Sequence, residues 1–375
     1  MYDHGKINQF AIGRVANCYG ENYAIYDGKR APRIPNGDLL LITRGVDILG
    51  ERYKSVAGTR IHAEYDVPVD EWFYRDNPYP IMPYSVYMEI ALQPSGFLSA
   101  YHGPTLDFPE IDFYFRNLDG QGRLIHDRDM RGRTITNQVT IVNSTVMQGI
   151  IIQKFTFAMY DGDLLFYEGD ATFGYFTKES LASQAGLDQG KQLPRWIDTV
   201  ELAPNQIIQV NPHQPFGEGF LRLANGQLEF TDEIKIVPGG GKYGQGYAYA
   251  NTIINPEAWF FKNHFYQDPV MPGSIGVETI LQAMQAYAIE TRLGDGLKNP
   301  HFAQVDSESV PGGHNIVWRY RGQILSDSDK SHVEANIKRI EKTPGKVVIY
   351  ADASLWRDKL RIYEVKDIAL AIVGE

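Results

Sequence analysis

Two segments of the chain align without a gap: MPYSVYMEIALQ, Met82 to Gln93, and MPGSIGVETILQ, Met271 to Gln282. Their offset is 271 − 82 = 189 residues, about half of the 375 in the chain. Upstream, VDEWFYRDN (Val69 to Asn77) pairs with PEAWFFKNH (Pro256 to His264), setting Trp72 opposite Trp259 at an offset of 187. NGDL at Asn36 matches NGQL at Asn225, again at 189, and downstream Asp170-Ala171-Thr172 resembles Asp352-Ala353-Ser354. Similarity spread along each half points to duplication, so the chain is expected to fold as two copies of one unit.

Each copy reads alike. A strand-like region precedes the Met-Pro dipeptide, one long helix follows it, and further strands come after. Ser85 and Ser274 stand just past the proline as candidate caps. Pro94 is expected to kink the first helix or end its regular part. Strand candidates are Leu39 to Thr43, Ile150 to Tyr160 and Leu164 to Phe176 in the first half. In the second they are QLEFTDEIKIV, NIVWRYRGQIL, VEANIKRIE and KVVIYADASLW. Their β-branched and aromatic near-alternation suits antiparallel strands with one solvated face. One helix wrapped by one antiparallel sheet, twice over, is an α+β arrangement. The units are placed at 1–180 and 193–375, joined through the polar stretch from Thr177 to Gln192.

Bulk properties set outer bounds. Apolar residues at 43% and charged residues at 22% describe a globular chain, and no apolar run reaches the roughly 20 residues of a membrane span. The polar start MYDHGKINQF does not read as a secretory signal, so a cytoplasmic setting is expected. The single cysteine, Cys18, excludes a disulfide framework. A formal charge of −10 argues against nucleic acid as a partner. The remaining histidines show no carboxylate or cysteine spacing that suggests a metal.

The second motif in its full extent, NHFYQDPVMPGSIGVETILQAMQ (Asn263 to Gln285), resembles the active-site segment of the β-hydroxydecanoyl-carrier-protein dehydratase family. With its degenerate first copy, carried by EYDVP and PYSVYMEIALQPSGFLSAY, the chain resembles the dehydratase region of polyunsaturated fatty acid synthases. The resemblance implies a double hot-dog fold, each sheet wrapped around a central helix, with an acyl tunnel where two units meet. It implies a (3R)-3-hydroxyacyl dehydratase that needs no cofactor, its substrate being carried on the phosphopantetheine of an acyl carrier protein. It also implies the other domains of a multienzyme synthase as partners, and leaves room for a homodimer.

Dehydration of such a thioester needs a base for the C2 proton, an acid for the C3 hydroxyl and a donor for the enolate oxygen. His264 matches the family histidine, and Gly273 the glycine whose N–H heads the helix. The acid position falls 14 residues after His264, at Glu278, with Glu89 as its counterpart in the first half. The family implies that histidine and acid come from different units, which pairs His264 and Gly273 with Glu89. Gln93, four residues on from Glu89, and Gln282, four on from Glu278, stand on the same helical faces as support. The resembled β-hydroxydecanoyl branch usually carries Asp at the acid position, so glutamate is a departure, though related dehydratases use Glu.

The opposite site is expected to be dead. Trp72 and Met82 lie 82 − 72 = 10 positions apart, against 271 − 259 = 12 in the second half. The shortfall removes the histidine, leaving Asp76 and Asn77, and Tyr84 replaces the glycine. Other readings stay open: a non-catalytic acyl-binding or scaffold domain, or a hot-dog thioesterase using the same tunnel. Whether a dehydratase here would also isomerise its product from 2-trans to 3-cis is open too. Arg319, Arg321 and Arg339, in a basic cluster with Lys338, Arg357, Lys359 and Arg361, are candidates for docking an acidic carrier protein. A solvated strand face is the plainer account of them.

Overall fold

The computed structural model describes residues 1–54, 56–147, 149–213, 221–308, 310 and 313–375. The first half holds β1 (Arg44–Leu49), β2 (Arg60–Asp66), β3 (Tyr114–Leu124), β4 (Thr134–Met147), β5 (Ile150–Asp161) and β6 (Leu164–Phe176). The second holds β7 (Ile208–Val210), β8 (Glu233–Val237), β9 (Tyr247–Ile253) and β10 (His301–Ala303), then β11 (Ile316–Tyr320), β12 (Lys330–Thr343), β13 (Lys346–Arg357) and β14 (Leu360–Val373). Among the described residues these make one antiparallel sheet in the order β1-β2-β4-β5-β6-β3-β11-β14-β13-β12-β9-β8-β7, with β10 on the end of β14.

Inside each half-sheet lies one long helix, Tyr84–His102 in the first and Gly273–Glu290 in the second. Both are apolar nearly all round because the sheet encloses them and each also packs on the other. The fold is a double hot-dog, α+β as expected. The main hydrophobic cluster runs through both halves, and the half-sheets meet where β3 pairs with β11. At that seam Trp318 of β11 lies against Gly120 of β3, so closely that an added Cβ would stand 2.3 Å from the indole.

The duplication survives in the structure and changes offset along the chain. β4, β5 and β6 recur as β12, β13 and β14 at 196 residues (330 − 134 = 346 − 150 = 360 − 164). The pairing of Asp170-Ala171-Thr172 with Asp352-Ala353-Ser354 is therefore corrected: the first lies in β6, the second in β13, the counterpart of β5.

Pro94 does not end its helix, and one expected strand is absent. The first helix passes through Pro94 without ending, running eight residues further to His102. Proline cannot donate to the Ile90 carbonyl four residues back. The side chain of Asn137, on β4, does so instead, its Nδ2 lying 2.9 Å from Ile90 O and 3.0 Å from Ala91 O. Leu39 to Thr43 is not a strand; β1 begins at Arg44. Its backbone groups bond a side chain, with Gln93 Oε1 accepting from Leu41 N and Gln93 Nε2 donating to Leu39 O.

Candidate functional site

Each central helix starts right after a Met-Pro pair, with serine at its second residue, glutamate at its sixth and glutamine at its tenth. One turn separates glutamate from glutamine, so the two share a face. Where the helices pack together, the serines exchange. Ser274 Oγ donates to Glu89 Oε1 at 2.6 Å, and Ser85 Oγ donates to Glu278 Oε2 at 2.8 Å. Behind each glutamate stands its glutamine: Gln93 Nε2 is 3.0 Å from Glu89 Oε2, and Gln282 Nε2 is 3.4 Å from Glu278 Oε1. The glutamines are held by backbone in turn, Gln93 at Leu39 and Leu41, Gln282 at Leu228 and Phe230. Burial raises the pKa of both carboxyl groups, and the serine and glutamine bonds oppose it. No counter-cation touches either among the described residues, so burial shifts both towards the neutral acid.

The two glutamates then differ in what they face. Glu278 is wholly buried, whereas Glu89 opens onto a cavity shared by both halves, lined also by Met88, Phe115, His264, Gly273 and Tyr320. His264 caps a short helix, Trp259–Asn263, and its Nδ1 lies 2.8 Å from the Val270 carbonyl. A carbonyl only accepts, so Nδ1 carries the proton and Nε2 keeps a free lone pair. Although the ring keeps some surface open to the cavity, burial pushes its pKa down to about 4, Arg116 adding to this while the Val270 bond and Asp268 oppose it. Gly273 begins the second helix, so its N–H has no partner one turn back and the helix dipole reinforces it. An added Cβ there would meet the Tyr320 ring at 2.6 Å, so only glycine fits.

The corresponding place in the first half is filled. Asn77 stands where the histidine would, and its Nδ2 donates to Ile81 O, the counterpart of the bond from His264 to Val270 (81 + 189 = 270). Its Oδ1 is occupied by Tyr79 N. Asp76 sits where Asn263 does, bonded through backbone and carboxylate to Asn225 and Gln227. Tyr84 replaces the glycine and places its hydroxyl 3.1 Å from that of Tyr167 inside the core.

The sequence reading misses Asp268, although it lies inside the quoted motif. This buried carboxylate joins the halves: Arg116 holds it bidentately at 2.7 and 2.8 Å, and Arg30 at 2.6 Å. Burial alone would raise its pKa, but the two arginines outweigh that and hold it below the usual range. Spacing could not reveal the cluster, because its cations come from distant parts of the chain.

The basic cluster is dispersed and partnered. Arg319 and Arg321 share Asp119, Arg339 pairs with Glu341 at 2.7 Å, and Arg361 with Asp188. Arg339 is on β12 and Arg319 on β11, with β14 and β13 between them. Among the described residues no group of three or more acidic, histidine or cysteine side chains is arranged to hold a metal. No described helix is long and apolar enough to cross a membrane, which says nothing of a β-barrel.

Known proteins share parts of this chain. Residues 223–366 match the FabA-like domain family. Over 98% of its length the chain is 35% identical to a polyunsaturated fatty acid synthase polypeptide of Thraustochytrium sp. (strain ATCC 26185 / S-3), and it spans 26% of that relative. Among solved structures, the dehydratase domain from the CurJ module of curacin polyketide synthase aligns at a TM-score of 0.44 and 10% identity, over 89% of this chain and 96% of that one. A putative thioesterase II from Thermobifida fusca YX aligns at 0.45 and 11%, over 91% of this chain and 99% of that one.

Proposed function

From the match of residues 223–366 to the FabA-like domain family and the 35% identity to about a quarter of a polyunsaturated fatty acid synthase polypeptide, we propose that the chain is a (3R)-3-hydroxyacyl thioester dehydratase with one active site, formed across the two halves. Its substrate arrives on an acyl carrier protein, and the other domains of a synthase are its working partners. The observation that carries the reading is the cavity into which His264, Gly273 and Glu89 all open.

The chemistry follows from the states of these groups. Neutral His264 takes the C2 proton at Nε2 while Nδ1 stays tied to Val270. The electron pair moves towards the thioester carbonyl, whose oxygen accepts from Gly273 N–H at the positive end of the helix. The enolate pair then returns to form the C2–C3 double bond as Glu89, its pKa raised by burial, gives its proton to the departing C3 hydroxyl, which leaves as water. Ser274 and Gln93 fix the carboxyl group. Each step moves a proton or an electron pair between groups already present, so no cofactor is required.

Turnover of a 3-hydroxyacyl thioester to its enoyl product, followed by ultraviolet absorbance, tests the assignment. His264→Ala and Glu89→Gln should each lower kcat by about 10²–10⁴, while Glu278→Gln keeps most of it. A severe loss in Glu278→Gln with a mild one in Glu89→Gln would refute the crossed site. Absence of turnover in the wild-type protein would leave the scaffold reading, and unaltered turnover in all three variants would refute the site assignment.

A further inference from the structure

The segment ahead of the repeated unit places Arg33 in an unusual position. Only 8% of its surface is exposed, yet no carboxylate pairs with it among the described residues. Nη1 donates to the carbonyls of Phe10 and Gly13 at 2.8 and 2.9 Å, with Gln9 O further off at 3.3 Å, while Nε is buried with no partner at all among the described residues. Burying a cation without a counter-ion is costly. A polar atom left unmatched there calls for an explanation.

Its location supplies one. Arg33 lines the reaction cavity beside Glu89 and His264, and it also lines an open surface groove with Arg14, Lys29, Arg30 and Tyr266. It is the residue the two hollows share. Positive charge is in surplus at this junction: Asp268 is one carboxylate serving both Arg30 and Arg116, and Arg33 has none among the described residues. Arg14 is already neutralised by Glu21 and Asp27, which leaves the inner end of the groove the more cationic. In a chain of net charge −10 such a surplus, placed where a thioester must pass, is specific.

We propose that Arg33, with Arg30 beside it, receives the phosphate of a phosphopantetheine arm whose thioester lies at His264. This rests on the dehydratase reading and adds the anchor for the substrate's carrier arm. It moves carrier recognition from Arg319, Arg321 and Arg339, which do not line the cavity, to Arg33 in the N-terminal segment, which does.

The test compares one 3-hydroxyacyl group on 4′-phosphopantetheine and on pantetheine, which lacks the phosphate. The wild-type protein should favour the phosphorylated arm by about tenfold or more in kcat/KM, the scale of one charge-assisted contact. Arg33→Met should bring that ratio close to one, and Arg33→Lys should restore part of it. A wild-type ratio near one, or a ratio undiminished in Arg33→Met, overturns the proposal. Should Arg33→Met fail to fold, the wild-type ratio measured against ionic strength decides: a fall with added salt supports the contact, a flat response overturns it. Should neither thioester turn over, the dehydratase reading fails on its own. Calorimetry with the two bare arms then judges the phosphate site, tighter binding of 4′-phosphopantetheine supporting it and equal affinity overturning it.

Discussion

Enclosure disfavours charge, so the same apolar walls that pull the His264 pKa down to about 4 push that of Glu89 up. Above about 4, then, the free protein holds a neutral imidazole, and kcat/KM should stay level as pH falls through the ordinary imidazole range near 6.5. It should drop only as pH approaches 4, and the opposite limb should appear where rising pH strips the proton from Glu89. An acid limb centred near 6.5 in the pH–rate profile would show that His264 is not held neutral by burial. The linkage sign agrees: the unfolded chain takes up this proton near 6.5 and the native one only near 4. Stability from His264 is therefore full above that window and lost as pH falls through it.

Asn137 and Pro94 act together at the scale of an element. The helix runs on past Pro94, and a side chain on the facing strand takes over the contact that proline leaves vacant. Asn137→Ala should destabilise the protein by about 1–3 kcal/mol, the penalty for stranding buried carbonyls, read from urea unfolding. A change within about 0.5 kcal/mol, as for an ordinary surface substitution, would mean the carbonyls find other partners. The sequence shows both central helices plainly, since the Met-Pro start and the apolar run that follows are local signals. It does not show that Pro94 is tolerated, because the compensating residue sits on another strand. Leu39 to Thr43 is misleading for a similar reason: its apolar residues face the core, but Gln93 takes the bonds a neighbouring strand would have made. His264 and Gly273 stood out through the resemblance of their motif, and Glu89 through the repeat that makes it the counterpart of Glu278, while the arginines around Asp268 left no periodic trace.

For the molecule as a whole, the join between β3 and β11 decides whether the cavity exists, because its walls come from both sides of that seam. The main hydrophobic cluster spans both of the proposed units 1–180 and 193–375. Gly120→Val would press on the indole of Trp318 across the join. Overpacking there should cost about 1–3 kcal/mol, and turnover should fall more than Glu278→Gln lowers it, as His264 and Glu89 are forced apart. Unchanged turnover at full stability would show that the seam has slack.

The exchange of Ser85 for Ser274 across the helix pair has a historical consequence. In a symmetric pair of identical chains, any substitution appears twice, and losing a histidine would abolish both sites at once. Once the two copies are joined in one chain, each position can mutate alone. One half could lose its base and close its pocket with Tyr84, and still keep the serine and glutamate that brace its neighbour. On the proposed assignment, joining the copies in one chain lets them specialise, one keeping the base and the other the acid that faces it.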